Sequence, residues 1–429
     1  MMDRYALETL ALHAGEEPDP QTGALRLPLH MATSFRLPGF GPKLFDALLI
    51  ESDRPPHAYT RWSNPTLRAL EDRLAALEGG EKDPKGIAAM TAATGMAAVS
   101  AVLLTFLGQG DHVVASEVCY AGTVELFGQH LPRLGIDVSL VDTSDVEEVR
   151  AALRPETRLV FVETPANPIL RIADIGALGE VAHGAGAKLV VDSTWAGPTL
   201  QRPLALGADY VVHSLTKYLN GHGDALGGVV IGPRKGIRRI RKDMLVHLGG
   251  AMSPFNAWLI LRGLATLPLR MERHSQSALQ VARFLEAHPR VKRVVYPGLE
   301  SHPHHALARY QMSTGGGAPG FGGMLTFQLK GGLGAAITMA DKIRLFKYAT
   351  SLGHVHSLLF YYPTDLYVDA VSYLEPAQKA RIRHWMGDGI VRASIGLENV
   401  QDLIADLDQA LRGRTFKGWV GPVVYRLMA

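Results

Sequence analysis

The chain has 429 residues, 47% of them hydrophobic and 20% charged. That is the make-up of an ordinary soluble globular protein with two or three domains. A formal net charge of +3, evenly spread, argues against nucleic acid or an anionic membrane surface as partner. Cys119 is the single cysteine, which excludes an internal disulfide and fits a reducing cytoplasm, and no run approaches the roughly 20 apolar residues of a membrane span.

The opening stretch, MMDRYALETLALHAGEE, carries acids early and lacks an uninterrupted apolar core, so it does not read as a signal peptide. Residues 1–64 are rich in proline and turns and are expected to form an arm. In NPTLRALEDRLAALEGG, Leu67, Leu70, Leu74 and Leu77 fall on one helical face between a proline and two glycines. From about 86 to 232, helical stretches alternate with short apolar runs: DHVVAS, IDVSLVD, RLVFVET, AKLVVDST, ADYVVHS and GGVVIG. Such alternation predicts a mostly parallel sheet covered on both faces, an α/β fold. A long helical region, SPFNAWLILRGLATLPLRMERHSQSALQVARFLEAHP, follows and is expected to bend or divide at Pro268. Beyond it, GGMLTFQLKGG and GIVRASIG read as strands and NVQDLIADLDQALRG as an amphipathic helix, an α+β C-terminal domain. The expected division is 1–64, 65–265 and 266–429.

Several strand ends carry residues suited to chemistry. Lys217 follows the strand ADYVV and sits among hydroxyls and glycines in HSLTKYLNGHGD. A desolvated lysine can become neutral and attack a carbonyl, and the hydroxyls of Ser214 and Thr216 can hold an anion beside it, so a phosphate-bearing aldehyde would satisfy both. Asp192 ends the apolar run KLVVD, where it is either a turn or capping residue or the carboxylate partner of a protonated ring nitrogen. In TAATGMAAVSAVLLTFL a small-residue turn opens a helix whose free N–H groups near Gly95 and Met96, with the Thr94 hydroxyl, suit a phosphate. Tyr59 and Arg61 alternate in YTRWSNPT and can grip a phosphate. Tyr120 can stack on an aromatic cofactor or fill a core. Arg392 lies within an apolar strand and needs an anion there, either a structural aspartate or a substrate carboxylate.

Together and in this order these segments resemble the Cys/Met-metabolism (trans-sulfuration) family of pyridoxal-phosphate enzymes, which includes methionine γ-lyase, O-acetylhomoserine sulfhydrylase and the cystathionine synthases and lyases. The resemblance runs from LALHAGEEPDPQTGA to LIADLDQALRG and is carried by YTRWSNPTLRALEDRLAALEGG, VETPANP, ADYVVHSLTKYLNGHGD and SPFNAWLILRGLATLPLRMERH. It implies fold type I, the aspartate aminotransferase-like fold, with a mostly parallel seven-stranded sheet, and pyridoxal 5'-phosphate as cofactor. By position, Lys217 matches the lysine that binds the cofactor aldehyde covalently and Asp192 the acid on its ring nitrogen. Gly95, Met96, Ser214 and Thr216 match the phosphate cup, and Tyr59 and Arg61 match residues that reach the phosphate of a neighbouring subunit. Tyr120 matches the stacking tyrosine and acid on the leaving group, Asn167 a residue near cofactor and substrate, and Ser351 and Arg392 the pair at the substrate carboxylate. The resemblance also implies a cytoplasmic homotetramer, a dimer of dimers with shared active sites, acting on an amino-acid substrate.

The implied activity is γ-elimination on a sulfur amino acid, yielding 2-oxo acid, ammonia and thiol. A γ-replacing synthase and a non-catalytic relative with the same fold are the alternatives. Gly122 stands where methionine γ-lyases commonly carry cysteine, and His356 where cystathionine-cleaving members often carry glutamate. His354, His356 and Asp365 therefore either line a distinct side-chain pocket or belong to an exposed loop. The SHPHH segment, His302 to His305, is expected to be surface rather than metal site. STGGGAPGFGG lacks the lysine and hydroxyl of a phosphate loop and reads as a connection before a strand. Residues 38–57, the EKDPK insertion and the tail GWVGPVVYRLMA have no assigned work.

Overall fold

The computed structural model describes residues 5–37, 39–42, 44–45, 56–79, 86–313, 320–371 and 373–412. The EKDPK insertion, the tail, the glycine run of STGGGAPGFGG and most of the 38–57 segment lie outside the described residues. Seven strands form the first sheet: β1 Ile87–Ala92, β2 His112–Ser116, β3 Asp137–Val141, β4 Thr157–Glu163, β5 Lys188–Asp192, β6 Tyr210–Ser214 and β7 Gly228–Pro233. Their order is β1-β7-β6-β5-β4-β2-β3, and β7 alone runs against the others. The expected seven-stranded, mostly parallel α/β sheet is present.

Each central strand is apolar along its whole length because both faces are covered. On one face Val190, Phe161 and Val212 pack with Ala98, Val99, Val102 and Leu103 of the helix Gly95–Phe106. On the other, Leu189, Val191, Val160 and Val162 meet Ile175, Leu178 and Val181 of the helix Ile175–Gly184. The alternation of sides along β5 is the period of two that a pleated strand imposes. β1, IAAMTA, was not legible as a strand, since alanine has little strand preference; it is placed by its register with β7, from Ile87↔Pro233 to Ala92↔Gly228.

The helical region divides where expected, into Pro254–Leu264 and Leu267–Ala287. Pro268 lacks the N–H that would continue the first helix. Arg270 seals the break: its guanidinium donates to the Gly263 carbonyl at 2.7 Å and to the Tyr218 carbonyl at 2.7 Å. The C-terminal part holds a second sheet of β8 Val291–Val295, β9 Met324–Leu329, β10 Lys347–Tyr348, β11 Leu358–Pro363 and β12 Gly389–Ser394, in the order β10-β11-β12-β9-β8. Val281 and Leu285 of the long helix and Leu403 and Leu407 of the helix Val400–Leu411 cover it. The early arm also contains a helix, Leu7–His13, whose Leu10 and Ala11 pack with Leu67, Leu70 and Leu74 of the helix Pro65–Gly79. Buried Arg73 ties the two, donating to the Ala14 carbonyl at 2.8 Å and pairing with Glu16 at 2.8 Å. Among the described residues no helix is long and apolar enough to cross a membrane.

Candidate active site

The carboxyl ends of the parallel strands converge on one cavity of about 500 Å³. Gly95, Met96, Tyr120, Asn167, Asp192, Ser214, Thr216, Lys217, Ser351 and Arg392 all line it. The first eight follow or end strands of the large sheet, Arg392 lies on β12, and Ser351 sits in the loop before β11.

Lys217 Nζ donates to Ser351 Oγ at 3.0 Å. Burial, aided by the Arg392 charge, lowers the lysine to about 8, so a substantial fraction is neutral near physiological pH. Asp192 receives two hydrogen bonds on Oδ1, from the Thr194 N–H at 3.0 Å and the Thr194 hydroxyl at 2.5 Å. Thr194 Oγ1 in turn accepts the Ser214 N–H at 2.9 Å, locking the ends of β5 and β6 together. Burial pushes Asp192 up, against the pull of the Thr194 donors and of His213.

The helix Gly95–Phe106 points its first turn at the cavity. Its cap is Thr94, whose hydroxyl accepts the Ala97 N–H at 3.1 Å. The Thr94 hydroxyl caps the helix as an acceptor and keeps its own hydrogen to donate into the cavity it lines, while the N–H groups of Gly95 and Met96 precede the hydrogen-bonded turns. A Cβ on Gly95 would stand 2.9 Å from the Ser214 Cβ, so only glycine lets the turn approach that strand end. Thr216 lines the cavity, but its hydroxyl accepts the Gly227 N–H at 3.1 Å and donates to the Gly227 carbonyl at 3.3 Å, which leaves Ser214 as the freer hydroxyl of the pair.

Arg392 is 5% exposed. Its partners are neutral: Asn167 Oδ1 at 3.0 Å and the Ser351 carbonyl at 3.0 Å, with the Tyr362 and Trp195 rings 5.2 and 6.0 Å from the guanidinium carbon. Among the described residues no carboxylate pairs with it, which removes the structural aspartate from the two readings of this arginine. A buried cation whose hydrogen-bond partners are all neutral, with the Glu163 carboxyl acting on it only from a distance, is suited to an anion entering the cavity.

Tyr59 and Arg61 do not line the cavity of their own chain. Tyr59 is 41% exposed at a bridge with Ser34, and the Arg61 guanidinium lies 5.3 Å from its ring centre. Asp365 is also outside, paired with Arg383 at an exposed position, and His356 is exposed. Of the three residues considered for a separate side-chain pocket, His354 alone reaches the site, with Nε2 at 3.3 Å from Ser351 Oγ. The SHPHH imidazoles bind backbone: His302 to the Leu170 carbonyl, His304 to the Ile172 N–H and His305 to the Pro297 carbonyl.

Glu163 escaped the sequence reading. It ends β4 opposite Asp192 in register, and its two oxygens accept the Asn167 N–H at 2.7 Å and the Tyr120 N–H at 2.8 Å, fixing both residues from beneath. Burial and the neighbouring Asp192 hold it well above the usual carboxylate range. Its signal, an apolar run ending in a carboxylate, is the one that singled out Asp192. Tyr362, on β11, and Tyr367, on the helix Thr364–Ala370 that follows it, also line the cavity.

Residues 8–412 match the family described as Cys/Met metabolism PLP-dependent enzyme. The chain is 45% identical over 404 residues to a canavanine gamma-lyase of Rhizobium leguminosarum bv. trifolii, covering 94% of this chain and 95% of that one. It is 41% identical over 418 residues to an L-methionine gamma-lyase of Fusobacterium nucleatum subsp. polymorphum, covering 95% and 98%. A cystathionine gamma-synthase of Mycobacterium bovis is 41% identical over 403 residues, covering 94% and 96%. Among solved structures, that of metB from Corynebacterium glutamicum superposes with a TM-score of 0.84 at 38% identity, over 96% of this chain and 99% of that one.

Proposed function

Because the chain belongs to the Cys/Met metabolism family of pyridoxal-phosphate-dependent enzymes, we propose that it is a γ-lyase. It removes a substituent from Cγ of an amino acid, most simply the thiol of a methionine-type substrate, and leaves a 2-oxo acid and ammonia. The observation that supports the cofactor and the amino-acid substrate is the cavity itself: a depressed lysine, a buried carboxylate on the adjacent strand end and an arginine without a carboxylate hydrogen-bond partner face one space. That set fits pyridoxal 5'-phosphate together with an α-amino acid.

When bound, pyridoxal 5'-phosphate supplies an aldehyde for covalent attachment and a ring that withdraws electrons from the substrate. Lys217 is the attachment point and, once freed, the base that moves protons at Cα and Cβ. Asp192, with both Thr194 hydrogen bonds on Oδ1, keeps Oδ2 for a ring N–H. The N–H groups of Gly95 and Met96 and the Ser214 hydroxyl hold the phosphate, helped by the positive end of the helix. Arg392, oriented by Asn167 and the Ser351 carbonyl, takes the substrate carboxylate. Tyr120, half exposed at the cavity, offers its phenol to the departing group. Tyr59 and Arg61 complete the phosphate site of a neighbouring copy, which makes the working unit at least a dimer.

The γ-lyase reading is supported by the similarity to gamma-lyases of two different substrates, one sulfur-linked and one oxygen-linked at Cγ. A γ-replacing synthase is the second reading, favoured by the comparable similarity to a cystathionine gamma-synthase. The deciding experiment incubates the protein with L-methionine, L-canavanine, L-cystathionine and O-succinylhomoserine, each with and without an added thiol. Loss of the Cγ substituent from methionine or canavanine without thiol is the expected result. A new thioether from O-succinylhomoserine, with methionine and canavanine untouched, would replace the lyase reading by the synthase. Lys217→Ala should abolish turnover on every substrate, and undiminished turnover there would remove the proposed reactive centre.

A further inference from the structure

We propose that His354 is a positioning residue for catalysis, holding through the Ser351 hydroxyl the proton that Lys217 exchanges. The inference rests on the reading of Lys217 as the base. Lys217 Nζ donates to Ser351 Oγ at 3.0 Å, and Ser351 Oγ lies 3.3 Å from His354 Nε2. A hydroxyl that accepts from an amine keeps its own hydrogen to donate, and the imidazole nitrogen is the acceptor within reach. The resulting sense is Nζ–H to Oγ, Oγ–H to Nε2, with the imidazole proton on Nδ1.

The surroundings hold this alignment. Ser351 has φ 74°, a conformation uncommon outside glycine, while its carbonyl is gripped by Arg392 at 3.0 Å. The loop after Ser351 is tied to the loop after Lys217, since the Val355 N–H donates to the Gly221 carbonyl at 2.8 Å and the Gly221 N–H to the Lys217 carbonyl at 2.8 Å. Gly223 is the floor under the imidazole: a Cβ there would stand 2.9 Å from both Cε1 and Nδ1 of His354, and its φ of +72° already favours glycine. His354 is half-buried, behind Ser351 as seen from the cavity.

The charges that face this imidazole are Lys217 and His356, which disfavour its cation, and Asp224, which favours it; Arg392 stands on the far side of Ser351. Asp224 is held in place by Asn220 Nδ2 at 2.9 Å. Burial, aided by the Lys217 charge, keeps the imidazole below its ordinary value, so it is neutral and able to accept at physiological pH. When Lys217 carries an extra proton, one Nζ–H breaks as an Oγ–H forms, and the original Oγ–H breaks as an Nε2–H forms. One proton moves from amine to imidazole and no electrons are transferred; the reverse shift along the same two hydrogen bonds returns it to Nζ, the stronger base.

The test has two readouts: kinetics on the holoenzyme, and titration of the full chain without cofactor, in which Lys217 carries a free amine. His354→Gln preserves size and hydrogen bonding without titrating; it should lower kcat about tenfold or more, leave KM within about threefold and delete one ionisation from the pH profile of kcat. Deuterium exchange at the His354 C2 position, followed by mass spectrometry across pH, should show its titration moving up towards the ordinary histidine value in Lys217→Ala, because the neighbouring cation is gone. An unchanged pH profile in His354→Gln, or a His354 titration that Lys217→Ala leaves in place, overturns the relay. If Lys217→Ala still turns over substrate, the base assignment falls and the relay with it; an inactive Lys217→Ala beside a normal His354→Gln profile removes the relay alone.

Discussion

Lys217 illustrates how one residue acquires its chemistry from burial. Its folded value of about 8 lies below the ordinary 10.5, so between those values the unfolded chain binds more protons than the folded one. The penalty is therefore full below about 8 and disappears as pH rises towards 10.5. At 1.36 kcal/mol per unit it amounts to at most about 3 kcal/mol. Without cofactor, Lys217→Met should be more stable than the parent by ~1–3 kcal/mol at pH 7, and urea denaturation should show the difference shrinking as pH rises through that window. A parent chain that is the more stable at pH 7 would mean that desolvation is not what depresses the lysine. Lys217, Asp192 and Arg392 were legible because each is a charged group in an apolar or turn context that cannot hold it cheaply. Glu163 carried the same mark, but its work, presenting Tyr120 and Asn167 through their N–H groups, is a tertiary contact spread over 43 and 4 residues of sequence.

At the scale of elements, the site depends on how the end of β6 is braced against the helices that leave the large sheet. Arg270 joins the Gly263 carbonyl, at the end of one helix, to the Tyr218 carbonyl, one residue past Lys217. It is 5% exposed, so its loss removes two charge-assisted hydrogen bonds from a buried position, although the Gly263 carbonyl still accepts from Thr266. Arg270→Met should destabilise the fold by ~2–4 kcal/mol, read by chemical denaturation. It should also weaken pyridoxal 5'-phosphate binding, read by cofactor retention on dialysis, because the loop carrying Lys217 loses its anchor. Retention and stability both equal to the parent would show that the helix break is closed without this residue. The helix break itself was readable from Pro268, a local backbone effect. β11 was not readable: LLFYYP shows no period of two, and its identity comes from antiparallel pairing with β12, from Leu358↔Ser394 to Pro363↔Gly389.

For the whole molecule, the placement of Tyr59 and Arg61 away from their own cavity divides the proposed phosphate site between copies. Mixing two inactive variants, Lys217→Ala and Arg61→Ala, through unfolding and refolding should restore activity. Random pairing places one intact site in each mixed dimer and regenerates roughly a quarter of the parent activity. No recovery, with assembly verified by light scattering, would place each site within a single chain. The sequence alone determined the α/β class, the parallel strands of the large sheet, the helix divided at Pro268 and the residue types proposed to meet a phosphate-bearing aldehyde and a carboxylate. All of these follow from local rules: apolar periodicity, missing N–H groups and the cost of charge in apolar surroundings. Tertiary structure decided which of those residues share a cavity, that Thr94 caps a helix and Asp365 pairs outside, and that His354 stands behind Ser351 while His356 faces solvent. Those outcomes depend on distances between segments far apart in the chain, set by the packing of the two sheets around the cavity, and no short window of sequence contains them.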